Sequence, residues 1–167
     1  MSTKDYSSIQ ERCVSNALGW EVVTGSGARP CVPGDVRSDE WLGECKTHTE
    51  PYHKITFMLT VWDKIQHEAD TSHRSPALIV DDGSQKLSRT WVLCRLISVD
   101  RTRLTIHDPN FKVTKNISFD HQVVTDYLKS LYTVDDGSLN SPCIGISWNN
   151  QQVVVMPFST FQMVKDR

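Results

Sequence analysis

Two apolar runs constrain the fold of this chain more than any other feature of its sequence. They are ALIV (77–80) and TWVLCRLISV (90–99), and both are rich in β-branched and aromatic residues. Continuous runs of this kind are typical of strands buried inside a sheet. They follow residues 53–69, in which apolar residues recur at the three- and four-residue spacing of a helix. This order predicts an α/β fold with a central mixed sheet flanked by helices.

Further elements are predicted on both sides of these runs. Residues 8–19 have an apolar stripe that predicts a helix ended by Gly19, with Ser8 placed to cap its start. Residues 24–34 contain three glycines and two prolines, which exclude regular structure. Asn149-Asn150 predicts a two-residue hairpin turn. The remaining predicted elements are strands at 20–23, 34–37, 41–48, 103–107, 115–119, 143–148 and 151–157, and helices at 121–132 and 158–164.

Length and composition are those of a single globular domain. The chain has 167 residues, of which 38% are hydrophobic and 23% charged. No run approaches the ~18 apolar residues of a membrane span, and the first residues lack the apolar core of a signal peptide, so we expect a cytoplasmic protein without membrane contact. The five scattered cysteines predict reduced thiols. Residues 6–99 form the predicted core of the domain, and residues 100–167 are either an extension or the completion of its sheet.

The stretch PGDVRSDEWLGECK (33–46) places charged residues in a predicted hairpin. Side chains alternate between faces along a strand, so Glu44 and Lys46 share one face. If Asp39-Glu40 forms the turn, counting back along the strands places Asp35 opposite Glu44, with Cβ atoms about 5 Å apart. Two carboxylates this close repel each other unless a cation or a proton lies between them.

A hard divalent cation suits this arrangement. Mg²⁺ prefers oxygen ligands and usually keeps waters and substrate phosphates in its shell. Lys46 on the same face can then orient or deprotonate an attacking water, or stabilise charge on a phosphate. The alternative interpretation is a surface cluster of salt bridges formed by Asp35, Glu44 and Lys46.

These residues resemble the signature of the PD-(D/E)XK nuclease superfamily, in which an aspartate, a short hairpin and an acid-x-lysine triplet follow one another. Here the aspartate is Asp35 and the triplet is Glu44-Cys45-Lys46, with the proline displaced by one position to Pro33. The order of elements over residues 6–99 is similar to that of archaeal and phage Holliday junction resolvases. This resemblance implies a restriction-endonuclease-like core and an Mg²⁺-dependent endodeoxyribonuclease, with Mn²⁺ as an alternative metal. It also implies a homodimer that cuts four-way or other branched DNA, and it is compatible with a virus- or phage-encoded protein that acts inside the host cell.

The resemblance also implies a role for each site residue. Asp35, Glu44 and the Cys45 carbonyl would hold the metal, Glu11 on the first helix would complete the metal site, and Lys46 would act on the water. For Glu11 there is an alternative, because Ser8-x-x-Glu11 also matches a capping box that satisfies backbone amides of a first helical turn.

Four residues are candidates for DNA contacts. Ser26 and Arg29 lie in the glycine-rich loop, where freed backbone amides can also grip phosphates. The other two candidates are Arg37 and Lys54. The alternatives are a flexible connector for the loop and a solvated helix face for the lysine. At the level of function, the alternatives are a restriction-like or nicking nuclease of the same superfamily and a nucleic-acid-binding module that does not cut.

Overall fold

The computed structural model describes residues 3–24, 32–131 and 140–166. The helices are α1 (Thr3–Leu18), α2 (Leu59–Thr71), α3 (His121–Ser130) and α4 (Phe158–Val164). The strands are β1 (Glu21–Val22), β2 (Val36–Arg37), β3 (Trp41–Lys46), β4 (Ile55–Met58), β5 (Ser75–Asp81), β6 (Thr90–Arg95), β7 (Leu104–His107), β8 (Asn116–Phe119), β9 (Ser141–Trp148) and β10 (Gln151–Pro157).

Eight of these strands form one mixed sheet in the order β1-β2-β3-β5-β6-β10-β9-β7. β3 and β5 are parallel, as are β7 and β9, and the other neighbours in the sheet are antiparallel. The connection from β3 to β5 passes through α2, as a parallel pair requires a crossover. The predicted α/β class with a mixed sheet and flanking helices is therefore confirmed.

Both faces of the large sheet carry a hydrophobic core. One core joins α2, α3 and the small β4–β8 sheet to side chains such as Leu42, Leu78 and Leu93. The other joins α1 and α4 to residues such as Trp41 and Ile79. Successive strand residues alternate between the two cores, which explains why β5 and β6 read as continuous apolar runs.

The C-terminal half adds strands to the same sheet. β10 lies between β6 and β9, so residues 151–157 occupy the interior of the sheet. The predicted Asn149-Asn150 turn joins β9 to β10, and both asparagines have positive φ (47° and 59°). Asparagine tolerates this left-handed conformation better than most residues, so the turn prediction is confirmed.

Two predicted helix boundaries are wrong. The helix expected over 53–69 begins only at Leu59, because Ile55–Met58 is strand β4 and pairs with β8. The first helix begins at Thr3, so Ser8 lies inside α1 and does not cap it. The capping-box interpretation of Glu11 is therefore wrong, and that carboxyl must be explained by its tertiary surroundings.

Four of the five cysteines lie within the described residues. Cys13, Cys45, Cys94 and Cys143 are free thiols, while Cys31 lies outside those residues. Among the helices of residues 3–24, 32–131 and 140–166, none has the length and apolar character needed to cross a membrane.

Candidate active site

The β2–β3 hairpin has the predicted register. Val36 pairs with Gly43 and Arg37 with Leu42. The turn between the strands does not use positive φ at Asp39 or Glu40. Instead, the Ser38 hydroxyl accepts hydrogen bonds from the Glu40 amide (3.3 Å) and the Trp41 amide (3.1 Å). The serine hydroxyl stabilises the turn by accepting from its amides, and because no residue of the turn has positive φ, no glycine is needed here.

Gly34 sets the direction in which Asp35 points. Gly34 has φ 72°, and a Cβ at this position would lie only 2.7 Å from Leu42 Cδ1. The amide of Asp35 donates to the Gly43 carbonyl at 2.8 Å. The side-chain Oδ2 of Asp35 accepts a hydrogen bond from the Cys45 amide at 2.9 Å. The carboxylate of Asp35 is thus held against the acid-x-lysine triplet of β3.

Glu44 and Lys46 form the centre of the candidate site. Glu44 is only 9% exposed. Lys46 Nζ lies 2.5 Å from Glu44 Oε1 and also donates to the Cys45 carbonyl at 3.2 Å. Burial opposes the charge on Lys46, but attraction and hydrogen bonding to Glu44 outweigh it and raise the pKa of the ammonium. Lys46 is therefore charged at neutral pH.

Helix α1 brings Glu11 to the same end of β3. Gln10 beside it is buried, and its Nε2 donates to the Lys46 carbonyl at 3.0 Å. Burial raises the pKa of Glu11 to about 7, and repulsion by Asp35 and, more weakly, by Glu44 adds to this against the opposing effect of Lys46. Glu11 therefore lies within electrostatic range of the other three predicted catalytic residues, Asp35, Glu44 and Lys46.

The donor set fits a hard cation in its chemistry. Its members are three carboxylates and the Cys45 carbonyl, all of which are oxygen ligands of the kind that Mg²⁺ prefers. The Lys46 ammonium already contacts two of these predicted ligands, so a positive charge is stabilised at this point. Within the described residues, no three His, Cys, Asp or Glu side chains converge as a metal-binding group. Asp35 and Glu44 instead accept hydrogen bonds from β3 itself.

Two of the four predicted DNA-binding residues, Arg37 and Lys54, lie within the described part of the chain. Arg37 lies on β2, and its Nε is 3.5 Å from Glu21 Oε2. Lys54 is exposed and directly precedes β4. It therefore does not lie on a helix, where it was expected. Ser26 and Arg29 lie outside the residues that the structure describes.

Sequence reasoning missed a pair of buried aspartates beside the site. Asp81 and Asp82 follow the β5 residue Val80, which pairs with Lys46, and both are fully buried. Asp81 Oδ1 accepts hydrogen bonds from the Thr47 hydroxyl and from the Gly83 amide (2.9 Å). Burial raises the pKa of Asp81. The signal in the sequence is the Asp-Asp-Gly that directly ends the apolar run ALIV.

Asp82 has a different environment from Asp81. It forms an ion pair with Arg89, and its backbone carbonyl accepts from the His53 amide at 3.0 Å. Burial opposes its charge, but hydrogen bonds from Ser84 and Arg89 outweigh burial and lower the pKa of Asp82. The aspartate thus ties the segment after β3 to the end of β5.

A groove of about 570 Å³ lies away from this site. It is lined by residues at the carboxyl end of β6 and at the start of β10, including Arg95, Arg101 and Gln151. Because β6 runs antiparallel to β5, this end of the sheet is opposite the one that carries Lys46. None of the predicted site residues lines the groove.

Comparison of the chain with protein-family models, with curated proteins and with solved structures finds no match.

Proposed function

We propose that this protein is an Mg²⁺-dependent endodeoxyribonuclease of the PD-(D/E)XK type, with Mn²⁺ as an alternative metal, and that its substrate is a four-way junction or other branched DNA. The observation that carries the proposal is the contact of Lys46 Nζ with both Glu44 Oε1 and the Cys45 carbonyl, next to Asp35. In an isolated surface salt bridge, no further carboxyl groups are expected beside the ion pair. Here Glu11 is repelled by both Asp35 and Glu44, and such crowded titratable groups are typical of functional sites.

The order of elements around the site supports the same proposal. A helix, three antiparallel strands, a crossover helix and a parallel fourth strand correspond to α1, β1–β3, α2 and β5. This is the order of the core expected from the family resemblance. The intervening strand β4 and the strands of the C-terminal half are additions to it.

In the proposed mechanism, Asp35, Glu44, the Cys45 carbonyl and Glu11 would hold the metal. Mg²⁺ held there would supply Lewis-acid polarisation of the scissile phosphate and activation of the attacking water. The raised pKa of Lys46 keeps it protonated, which favours orienting the water and stabilising phosphate charge over accepting a proton. Asp35 is itself oriented by the Cys45 amide, so the hairpin positions its own metal ligands.

Cleavage assays on branched DNA test this proposal. Labelled four-way junction, flapped DNA and linear duplex are incubated with Mg²⁺, with Mn²⁺ or with chelator. We expect metal-dependent cutting of the branched substrates and a loss of at least about 100-fold in Asp35→Asn and in Lys46→Met, because the first removes a proposed metal ligand and the second removes the ammonium proposed to act on the water and the phosphate charge. Asp39→Asn is the matched control, since this exposed turn residue belongs to the same hairpin.

The outcomes separate the alternatives. Efficient cutting of plain duplex would contradict junction selectivity and favour a restriction-like or nicking enzyme. Binding of DNA without metal-dependent cleavage of any substrate would instead indicate a binding module. The proposed homodimer is checked by light scattering, because two subunits are needed to cut two strands of a junction symmetrically.

A further inference from the structure

The segment from Thr47 to Lys54, here called the 47–54 loop, presents one unusual aromatic residue. Tyr52 is 66% exposed and has φ 67°. Bulky side chains rarely adopt this left-handed conformation, because it costs free energy that other contacts must repay. Exposed aromatics are ordinary on protein surfaces, but an exposed aromatic held in a strained backbone is not.

The strained conformation is enforced by tight packing of the loop against the turn after β5. A Cβ on Gly83, which has φ 88°, would lie 1.9 Å from the Glu50 carbonyl oxygen. On the other side of Tyr52, the His53 amide donates to the Asp82 carbonyl at 3.0 Å. The backbone on either side of Tyr52 is therefore held in place.

The ring of Tyr52 is also held by a cation. The guanidinium carbon of Arg89 lies 5.0 Å from the ring centroid. Arg89 is anchored in turn by its ion pair with Asp82, which is fully buried. Since most of Tyr52 remains exposed, the arginine fixes the ring and leaves aromatic surface available to a ligand.

This aromatic surface lies near the candidate active site. Lys46 ends β3 and is separated from Tyr52 by six positions, a span of at most about 22 Å even if fully extended. Asp82, which anchors the loop, lies two residues beyond Val80, the strand partner of Lys46. A distance of this size corresponds to a few nucleotides of an extended strand.

We propose that Tyr52 stacks on an unpaired base of DNA bound at the active site. This inference rests on the proposed function and narrows its substrate to DNA that exposes a base close to the scissile phosphate, as gapped or branched DNA does. A base stacks readily on a tyrosine ring, since every base has a π-face. Preorganisation of the ring by Arg89 and Asp82 reduces the entropy lost on binding.

DNA binding in the presence of chelator tests this inference without requiring cleavage. Fluorescence anisotropy is measured with a gapped duplex, a four-way junction and a fully paired linear duplex. Tyr52→Ala is expected to weaken binding of gapped DNA by about 10- to 100-fold, with a much smaller effect on the paired duplex. Tyr52→Phe retains the ring and should bind like wild type. Ile97→Ala is the matched control, because Ile97 is 73% exposed and follows β6 at the opposite end of the sheet.

A second variant separates a binding role from a structural one. Asparagine tolerates positive φ, so Tyr52→Asn should melt no lower than wild type while losing the same affinity for gapped DNA. A lower melting temperature with unchanged affinity would overturn the inference. So would equal losses on paired and gapped DNA, or a loss in Tyr52→Phe as large as in Tyr52→Ala.

The inference and the proposed function fail in different ways. If wild type cuts nothing with Mg²⁺ but the Tyr52 variants still lose affinity for gapped DNA, the nuclease proposal fails and the stacking role stands. If wild type cuts branched DNA and the Tyr52 variants bind gapped DNA like wild type, the stacking role fails alone. No binding of any DNA by wild type overturns both.

Discussion

Glu11 is the residue whose interpretation changes most between sequence and structure. In the sequence it matches a capping box, but α1 begins at Thr3, five residues before Ser8. Its carboxyl is half-buried and faces the negative charges of Asp35 and Glu44, which together with burial raise its pKa to about 7. The helix therefore holds an acid whose negative charge is unfavourable in this fold.

This arrangement predicts a pH-dependent effect of Glu11→Gln on stability. Because the folded-state pKa is raised from 4.5 to about 7, the folded protein binds a proton more tightly than the unfolded chain, and wild type loses stability as pH rises through that range. Glutamine cannot ionise. In chelator, we expect Glu11→Gln to be more stable than wild type above pH 7 by about 1 kcal/mol, since solvent screens a half-buried group, and close to wild type at low pH.

Thermal melts of both proteins across this pH range provide the measurement, with an expected difference of about 2–4 °C at the alkaline end. Glu40→Gln, in the exposed hairpin turn, is the control. A difference in melting temperature that does not vary with pH would show that the charge of Glu11 is not the cause.

The positions of the site residues were predictable where they depend on the two-residue repeat of a strand. That repeat places Glu44 and Lys46 on one face, and together with the length of the turn it brings Asp35 close to Glu44. The hydrogen bond that the Cys45 amide donates to the Asp35 carboxylate was not predictable, because it depends on the positive φ of Gly34. The burial of the two aspartates was not predictable either. Asp81 contacts Thr47, which is remote in sequence, and Asp82 contacts Arg89, which lies beyond a turn.

At the scale of elements, β4 shows where periodicity is ambiguous. Ile55 and Met58 continue the helical spacing of α2, yet the segment Ile55–Met58 forms a strand. Its partner β8 begins 58 residues after Met58, and Ile55 and Phe57 are fully buried opposite it. Local pattern cannot reveal a pairing at that separation, and tertiary context overrides it.

The β9–β10 hairpin allows a prediction at this scale. Both turn residues have positive φ, and glycine adopts that conformation without a steric penalty. Asn150→Gly should therefore raise the free energy of unfolding by about 0.5 kcal/mol, whereas Asn150→Ala should lower it by about 1 kcal/mol.

Chemical denaturation of the two variants beside wild type measures these changes. Asn150 is exposed, so lost packing does not complicate the comparison. Equal destabilisation by glycine and alanine would show that the asparagine side chain, and not its backbone conformation, stabilises the turn.

At the scale of the whole molecule, the family resemblance and the folding unit do not coincide. The resemblance covers residues 6–99, but β6 in that segment pairs along its length with β10. The core around α1 is also completed by side chains near the carboxyl terminus, among them Phe158, Phe161 and Val164. Sequence reasoning identified the elements after residue 100, although it could not order their strands, because strand order depends on long-range pairing.

We therefore predict that a fragment of residues 1–99 does not fold by itself. Loss of β10 leaves the edge of β6 unpaired and exposes a large apolar surface. Near-ultraviolet circular dichroism should show no fixed aromatic packing, in contrast to the full chain of residues 1–167, and mixing with residues 100–167 should restore it. A cooperative melt of the fragment alone would contradict this prediction.

The position of Trp41 has a consequence for how the protein is made. Its indole lies at the start of the strand that carries Glu44 and Lys46, donates to the Lys165 carbonyl at 3.2 Å and packs edge-on against Phe161 at 5.0 Å. Ribosomes add about 5–20 residues per second, so about 6–24 s pass between synthesis of Lys46 and of Lys165. During that interval the nascent chain carries every proposed catalytic residue without the core that positions them. On the proposed function, we expect nuclease activity to begin only after β10 and α4 have been synthesised and have packed against the rest of the core.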